Sequence, residues 1–473
     1  MKRKDLLYFS FFLFLFSCAK SEKNTQPTPE QKPVTQVQSY SLIENFEAGT
    51  KAAYASGNVR LMTGTWIFED ALLGNLASDS KNGANAVRLR SGRIAMTFDV
   101  SGVETVHVNH AKYGSDGDSQ WELWMSDDAG TTFTKVGGTV NTNSTTLVAD
   151  SFKVAAKGKV RFEIRKIGTT RLNIEDITIK GKGDPGIIVG EPDTGTDSGE
   201  TSGPDEGRGT PDGTGPDVPP ARGDNSNMLL GNPSGAQSNI LFPDNYLIDQ
   251  KYYVQSYSNN RGTPNWVSWH LDATSILKAT DRLDNFAAFT GLPAGWYQVQ
   301  NDSYKNSGFD RGHNCPSADR VSSAEANSST FLMSNMIPQA PENNQKTWAN
   351  LENYLRGQVV LGNEVYIIMG SYGSGGTGRN GAATGIDHGR ITVPAYLWKV
   401  AVILPSGSND LSRISATTRV IAIQTPNNNS TDPDWKKYVT TIREIEKATH
   451  YNLLSELPAR TQDVLETTAD GQN

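Results

Sequence analysis

The sequence predicts two folded domains of different class: an all-β sandwich over residues 40–182 and a mixed α+β domain over residues 226–460. In the first, apolar and polar residues alternate. In the second, strand-length and helix-length apolar patterns are mixed, and the 183–225 stretch between the two has few large apolar residues. The chain has 473 residues but is only 36% hydrophobic, with 45 glycines and 22 prolines. Part of its length is therefore expected to be linker and not core.

Residues 1–18 have the pattern of a signal peptide, in which a basic start is followed by an apolar run at 6–16 that is too short to cross a bilayer. The run ends in Leu15-Phe16-Ser17-Cys18, which resembles a bacterial lipobox and implies that Cys18 is lipidated. The alternative is a simple secretory signal with a chance cysteine. With Ala19 next in the chain, we expect an outer-membrane lipoprotein on the periplasmic or cell-surface face, with residues 19–39 as its tether.

The 40–182 segment carries short runs of period two, separated by turn clusters at the spacing expected of an antiparallel sandwich. Its first run, Leu42 to Glu47, and its last, Ile174 to Ile179, resemble strands of jelly-roll carbohydrate-binding-like domains. That resemblance implies a glycan as a partner of this domain. Three aromatic residues suit either stacking on sugar rings or packing in the core: Tyr113, Trp121 and Trp124.

The 183–225 segment is predicted to be a flexible linker rich in Gly, Pro and acidic residues. It holds ten acidic residues and two arginines, enough to account for the formal net charge of −7 of the whole chain. The domain that follows is therefore near neutral. A coat of positive charge over the whole chain is excluded, so binding of nucleic acid would need a local basic cluster.

In the 226–460 domain, apolar runs predict strands at 265–271, 358–369 and 395–404, and helical spacing predicts helices at 345–356 and 435–451. The polar tail at 461–473 is expected to be flexible. The chain has two cysteines, Cys18 and Cys315, which excludes both a disulfide framework and a zinc site of several cysteines.

The stretch from Asp310 to Asp319 places a carboxylate, a guanidinium and an imidazole within four residues, Asp310-Arg-Gly-His313. Histidine is the side chain best suited to accept a proton near neutral pH, and a neighbouring arginine suits a phosphate. The alternative is a surface turn with a solvated histidine. A nucleophilic Cys–His pair with Cys315 is also conceivable, although near neighbours in sequence seldom point together.

A second stretch carries Asn344, Trp348, Glu352 and Arg356 at intervals of four residues, so a regular helix would align them on one face. Amide, carboxylate and guanidinium groups on one face could hold a hydrated metal and a phosphate. The same spacing also suits a solvated face with a Glu352–Arg356 ion pair.

Together the two stretches resemble the DNA/RNA non-specific endonuclease family, the ββα-metal nucleases related to Serratia nuclease and endonuclease G. The resemblance covers residues 240–455 and includes a Ser-Asn-…-Pro-Gln segment at Ser334 to Gln339. It implies Mg²⁺-dependent hydrolysis of DNA and RNA to 5′-phosphate products, with Mn²⁺ as a substitute metal. The rival hypothesis is a surface glycan- or nucleic-acid-binding protein in which the nuclease domain is accessory or inactive.

The resemblance also implies a role for each site residue. His313 would be the general base, Asn344 the one direct protein ligand of the metal, and Glu352 a ligand through water. The remaining residues would contact the scissile phosphate or support the site: Arg356, Arg261, Arg311, Asn335 and Asp310. The segment around Arg261 matches the family pattern more loosely than the others, and Asn314 and Cys315 depart from it.

Overall fold

The computed structural model describes residues 39–189 and 206–471. The predicted signal peptide, with Cys18, and nearly all of the predicted tether lie outside these residues. No helix in the described part of the chain is long and apolar enough to cross a membrane.

The first domain is built entirely of strands, as the alternating pattern predicts. The strands are β1 Ser39–Glu44, β2 Gly57–Leu61, β3 Gly64–Gly74, β4 Ala86–Met96, β5 Val100–Ser101, β6 Val103–Lys112, β7 Ser119–Ser126, β8 Thr134–Thr142, β9 Val148–Lys153, β10 Lys159–Ile167 and β11 Leu172–Lys182. They pair antiparallel in the order β8-β7-β10-β4-β11-β6-β9. In addition, β1 pairs with β11, β3 with β4, β2 with β3 and β5 with β10. The large β-sheet region is confirmed, and its jelly-roll identity stays a prediction.

The aromatic residues considered for sugar stacking are largely covered by protein. Trp121 is fully buried in the core. The guanidinium of Arg88 lies 4.4 Å from the ring centroid of the buried Tyr113, and that of Arg165 lies 4.1 Å from Trp124. Packing in the core is therefore the correct interpretation of Trp121, and the glycan partner stays a prediction.

The second domain has a six-stranded antiparallel sheet in the order β12-β13-β14-β17-β22-β23. Its strands are β12 Tyr246–Asp249, β13 Val254–Ser258, β14 Thr263–Leu271, β17 Asn363–Tyr372, β22 Tyr396–Pro405 and β23 Arg419–Pro426. Three short two-stranded pairs flank it: β15 Asp310–His313 with β16 Met336–Gln339, β18 Gly376–Gly378 with β19 Gly381–Ala383, and β20 Gly385–Ile386 with β21 Ile391–Thr392.

The helices pack on both faces of this sheet, which explains why its central strands are continuous apolar runs. Along β14, Trp266 faces the core under the C-terminal helices and Trp269 faces the opposite core. The helices are α1 Ala324–Thr330, α2 Ala349–Val360, α3 Asp410–Arg413, α4 Ile442–Thr449 and α5 Ala459–Thr467, with a π-turn at Asn343–Trp348 ahead of α2.

Two predictions for the C-terminal region are corrected. The helix predicted at 435–451 is a 3₁₀ turn at Trp435–Tyr438 followed by α4, because the Thr441 hydroxyl accepts from the backbone N of Glu444 and starts a new helix. The tail expected to be flexible at 461–473 forms most of α5. Leu465 is buried there, and Glu466 pairs with Arg443 at 2.7 Å, which fixes this helix against α4.

The predicted linker is also corrected over residues 184–189, which hydrogen-bond to α2, and over residues 206–225, which lie against the second domain. Residues 190–205 lie outside the described part. The backbone N of Arg208 donates to the carbonyl of Ala288 at 2.8 Å. The carboxylate of Asp217 accepts from the hydroxyls of Ser322 and Ser323, both at 2.7 Å. The sequence pattern predicted that the acidic residues of this segment are solvated. In the structure, Asp217 accepts hydrogen bonds that attach the segment to the second domain. The domain boundary at residue 226 stays a prediction.

A fragment of residues 226–473 should fold but melt below a fragment of residues 206–473. We expect a difference of roughly 4 °C or more, because each hydrogen bond to a lost carboxylate is worth about 1.5 kcal/mol. Thermal unfolding of both fragments measures this. In the longer fragment, Asp217→Asn should give part of the loss, and Asp212→Asn, at an exposed position, should give none. Equal melting temperatures would contradict the stabilising role of this segment.

Candidate active site

The two ends of the Asp310-Arg-Gly-His313 motif are held by a buried two-stranded pair. Strand β15 pairs antiparallel with β16, Asp310 opposite Gln339 and His313 opposite Met336. Side chains alternate along a strand, so Arg311 and His313 share one face. Gly312 is required by close approach, because a Cβ there would lie 2.3 Å from the side-chain oxygen of Gln339.

His313 is a buried imidazole set between aromatic rings. Its ring centroid lies 5.0 Å from that of Phe331 and 5.6 Å from that of Phe286. Burial holds the pKa of His313 well below its ordinary value, and the positive charges of Arg282 and Arg311 lower it further. Its Nε2 makes no hydrogen bond to any described residue. The structure therefore presents a neutral histidine able to accept a proton.

Asn335 fixes the turn that follows His313. Its side-chain oxygen accepts from the backbone N of Cys315 at 3.0 Å, and its side-chain nitrogen donates to the carbonyls of Cys315 and Thr330 at 2.9 and 2.8 Å. Burial raises the pKa of Cys315 to about 12, so its thiol stays protonated. Cys315 packs in the core that holds Trp269, and the Cys–His alternative has no geometric support.

Asp310 meets the start of the helical segment that carries Asn344. The Asp310 carboxylate accepts from the side-chain amides of Asn344 at 3.1 Å and Gln345 at 2.8 Å. The π-turn at Asn343–Trp348 makes a wider turn than an α-helix, so Asn344 is not aligned with Glu352 as a regular helix would align it. Gln345 was missed from sequence, although it stands next to the predicted ligand.

Glu352 is paired with a lysine that sequence reasoning also missed. Lys399 donates from Nζ to the Glu352 carboxylate at 2.7 Å, and the lysine side chain is 1% exposed. Burial raises the pKa of Glu352, while Lys399 and then Arg356 act in the opposite direction. The available signal was a lysine inside the apolar run at 395–404, since a buried lysine requires a partner.

Arg356 is held in a second buried ion pair. It donates to the carboxylate of Asp319 at 2.6 Å, to the side-chain oxygen of Asn353 at 2.5 Å and to the carbonyl of Val189 at 3.3 Å. The other oxygen of Asp319 accepts from the indole of Trp269 at 3.0 Å. The structure thus replaces the predicted Glu352–Arg356 pair with two separate pairs that join α2 to the rest of the domain.

The remaining arginines lie in different surroundings. Arg311 donates to the carbonyl of Asn301 at 3.2 Å, and its guanidinium lies 3.5 Å from the ring centroid of Phe286. Arg261 donates to the hydroxyl of Ser371 at 3.2 Å, and burial lowers its pKa. The structure therefore places Arg311 beside the aromatic rings that surround His313, and Arg261 in the turn between β13 and β14.

Comparison with known proteins identifies the second domain. A family model described as DNA/RNA non-specific endonuclease matches residues 231–460. A protein named Nuclease, from Nostoc sp., is 45% identical over 244 residues, which cover 52% of this chain and 86% of that protein. The chain belongs to the DNA/RNA non-specific endonuclease family. It is therefore a nuclease, a hydrolase of phosphodiester bonds.

Two further known proteins are similar to this chain, one over about half of its own length and the other at lower sequence identity. The mitochondrial nuclease EXOG of Danio rerio is 31% identical over 169 residues, 35% of this chain and 49% of that protein. A solved structure of an EndoG/EndoGI complex aligns with a TM-score of 0.40 and 23% identity, covering 50% of this chain and 92% of that one.

The endonuclease family implies a divalent metal, and the donor set around Asp310 fits a hard cation. The carboxylate of Asp310 and the carboxamides of Asn344 and Gln345 converge within hydrogen-bond distance. Oxygen atoms of carboxylates and amides are the ligands that Mg²⁺ prefers, together with water. Glu352 is engaged by Lys399, so Asp310 and Asn344 are better placed than Glu352 to approach such an ion.

The low pKa of His313 predicts a measurable pH dependence of stability. In the unfolded chain this histidine titrates at about pH 6.5, and in the folded state at a lower pH. Below about pH 6.5 the unfolded state therefore binds more protons. The free energy of unfolding should then fall by up to about 1.4 kcal/mol per pH unit because of this residue.

Urea unfolding of the wild type and of His313→Gln between pH 7.5 and 5 measures this effect. The wild type should lose more stability on acidification than the variant, so that the two curves converge toward low pH. Parallel curves would contradict the buried, neutral state of His313.

Proposed function

We propose that this nuclease is an Mg²⁺-dependent endonuclease that hydrolyses DNA and RNA to 5′-phosphate products, with His313 as its general base. One observation carries the proposal: a buried neutral imidazole, with no hydrogen bond from Nε2 to any described residue, lies on the same four-residue strand as Asp310. A base needs the unprotonated form, and the low pKa of His313 keeps that form present well below neutral pH.

In this mechanism His313 Nε2 takes the proton of the attacking water, whose oxygen bonds to phosphorus as the bond from phosphorus to the 3′ oxygen breaks. The departing 3′ oxygen takes a proton from solvent. The positive charges of Arg282 and Arg311 beside it disfavour the imidazolium, so the proton is readily passed on to solvent after each turnover. Asp310 and Asn344 would hold the metal, with Glu352 acting through water. When bound, Mg²⁺ would neutralise the negative charge that develops on the phosphate.

Asn335 and Arg356 act as positioning residues in this proposal. Asn335 holds the backbone after His313, and Arg356 ties α2 to Asp319. A direct contact between Arg356 and the phosphate would require this buried pair to open. Arg261 is proposed as a phosphate contact on the family resemblance alone.

The proposal extends to the location of the protein, which we place at the outer membrane through a lipid on Cys18, on the periplasmic or cell-surface side. The support is the sequence of residues 1–18. Metabolic labelling with a lipid precursor, compared between the wild type and Cys18→Ser, tests it.

Replacing the base should lower turnover without lowering affinity. We expect His313→Asn to reduce kcat by roughly 10²–10⁴-fold, the usual contribution of a general base. Binding of a DNA duplex in EDTA should change little. His388→Asn is the matched control, since His388 is exposed in a turn at Asp387–Gly389, and it should keep wild-type turnover. Wild-type kcat in His313→Asn would remove His313 from the mechanism.

Replacing the predicted ligand should change the metal requirement. Asn344→Ala should raise the Mg²⁺ concentration for half-maximal activity by about tenfold or more. Asn350→Ala is the control on the same helix, because the Asn350 side chain donates to the carbonyl of Pro433 at 3.0 Å. Activity is measured against Mg²⁺ concentration for both variants and the wild type. If the Asn344→Ala profile is not shifted, the metal is held elsewhere.

A further inference from the structure

We propose that Tyr372 and Tyr396 form a stacking site for an unpaired base of the nucleic acid, at the end of the main sheet that adjoins the proposed metal ligands. Neither tyrosine belongs to the sequence motifs of the active site. The inference rests on the proposed function only in taking Asn344 to mark the path of the substrate.

Tyr372 and Tyr396 are a cross-strand pair whose rings lie nearly parallel. They stand opposite each other in the register of β17 and β22, with ring centroids 5.2 Å apart and an angle of 14° between the ring planes. Tyr372 also packs against the core under the C-terminal helices, which fixes the position of its partner. Tyr396 is 40% exposed, and no second ring of the described residues stacks on it. A flat aromatic ring is therefore held at the surface in one orientation.

The tyrosine pair is linked to the proposed metal ligands through β23. Tyr396 lies opposite Pro426 in the register of β22 and β23. The side chain of Asn343 donates to the carbonyl of Pro426 at 3.2 Å and to the hydroxyl of Thr425 at 2.9 Å, and Asn344 is the next residue. Because neighbouring strands are only about 5 Å apart, a polynucleotide held at Asn344 can reach the ring of Tyr396.

A positive charge lies beside the tyrosine pair. Arg261 donates to the hydroxyl of Ser371 at 3.2 Å and to its carbonyl at 3.4 Å, and Ser371 directly precedes Tyr372. Burial lowers the pKa of Arg261, and no carboxylate of the described residues offsets this effect. A partly buried cation without a carboxylate partner is stabilised by an anion that arrives from outside. In a nucleic acid that anion is a backbone phosphate.

A cation and an exposed ring side by side are the two elements that bind single-stranded nucleic acids. The bases of a duplex are stacked on each other, so only an unpaired base can lie on the ring of Tyr396. Stacking accepts every base, because each base has a π-face. The site therefore favours single strands and unpaired ends without selecting a sequence.

A purely structural role is the competing explanation, since cross-strand aromatic pairs stabilise sheets. The two roles differ in their response to a ligand without bases. A stacking site distinguishes a strand that carries bases from an abasic strand with the same phosphates, whereas a pair that only supports the fold makes no such distinction.

The experiment measures, by anisotropy in EDTA, the affinity of the full chain for fluorescent oligo-dA and for an abasic strand of the same length. We expect Tyr396→Leu to lower the ratio of the two affinities about tenfold, the usual contribution of one base stacked on an aromatic side chain. Tyr396→Phe keeps the ring and should keep the ratio. Tyr54→Leu is the control: it replaces a partly exposed tyrosine of the β-sheet domain and should also keep the ratio.

Arg261→Gln should act differently, because both strands carry phosphates. We expect it to weaken binding of oligo-dA and of the abasic strand alike. The slope of log affinity against log salt should also fall by about 0.7, the contribution of one phosphate of a single strand.

An unchanged ratio in Tyr396→Leu, or an unchanged slope in Arg261→Gln, would overturn the proposal. If Tyr396→Leu does not fold, Tyr396→Thr, whose side chain suits a strand, replaces it with the same outcomes. Because binding is measured without metal and without turnover, the result is independent of the general base. Activity in His313→Asn together with a lowered ratio in Tyr396→Leu would reject the proposed base and retain the stacking site.

Discussion

The site depends on the pairing of β15 with β16, which buries four consecutive polar or glycine residues. None of the segment Asp310-Arg-Gly-His313 would be expected in a protein interior, and each charged member is buried with a partner or an aromatic neighbour. The pair places Asp310 at the end that meets Asn344 and places His313 among aromatic rings. The proposed base and the proposed metal ligands therefore lie in different environments: burial lowers the pKa of His313, while the Asp310 carboxylate accepts hydrogen bonds from Asn344 and Gln345.

Helix α2 is joined to the site by two buried ion pairs in place of one surface pair. Lys399 on β22 holds Glu352, and Asp319, in the 3₁₀ turn after the motif, holds Arg356. Removing one partner of a buried pair leaves an uncompensated buried charge. Replacing any one of these four residues alone should therefore destabilise the domain. Glu352 and Arg356 stand about one turn apart on α2, so the two pairs fix the rotation of this helix and with it the place of Asn344, which lies in the π-turn directly ahead of α2.

The sequence predicted those elements whose structure follows from their own residues. The apolar runs at 265–271 and 395–404 are strands because they are buried on both faces. The strand at Asp310 to His313 was not predicted as a strand, since its conformation is imposed by β16 and not by propensity. The π-turn before α2 likewise depends on tertiary contacts. A four-residue period in the sequence predicts a regular helix, whereas in the structure the helix is widened where Asn344 contacts Asp310.

The residues that were missed share a physical reason. Lys399 and Arg282 acquire meaning only through partners far along the chain, Glu352 in one case and the aromatic neighbours of His313 in the other. A single sequence does not show these contacts. It shows Lys399 only as a charged residue in an apolar run, and Arg282 only as a charged residue in a loop. The first is a usable signal because burial of an unpaired lysine is costly, whereas the second cannot be told from an ordinary solvated arginine.

The segment that leaves the β-sheet domain is bound to the same helix that bears Glu352 and Arg356. The hydroxyl of Tyr354 donates to Asp184 at 3.1 Å, and the backbone of Val189 exchanges hydrogen bonds with Asn353 and Arg356. Gly357 is required at this contact, because a Cβ there would lie 2.4 Å from the carbonyl oxygen of Ile187. Arg356 bonds both to this segment, through Val189, and to Asp319 after the motif, so one side chain holds the chain that leaves the β-sheet domain and the motif turn to the same helix.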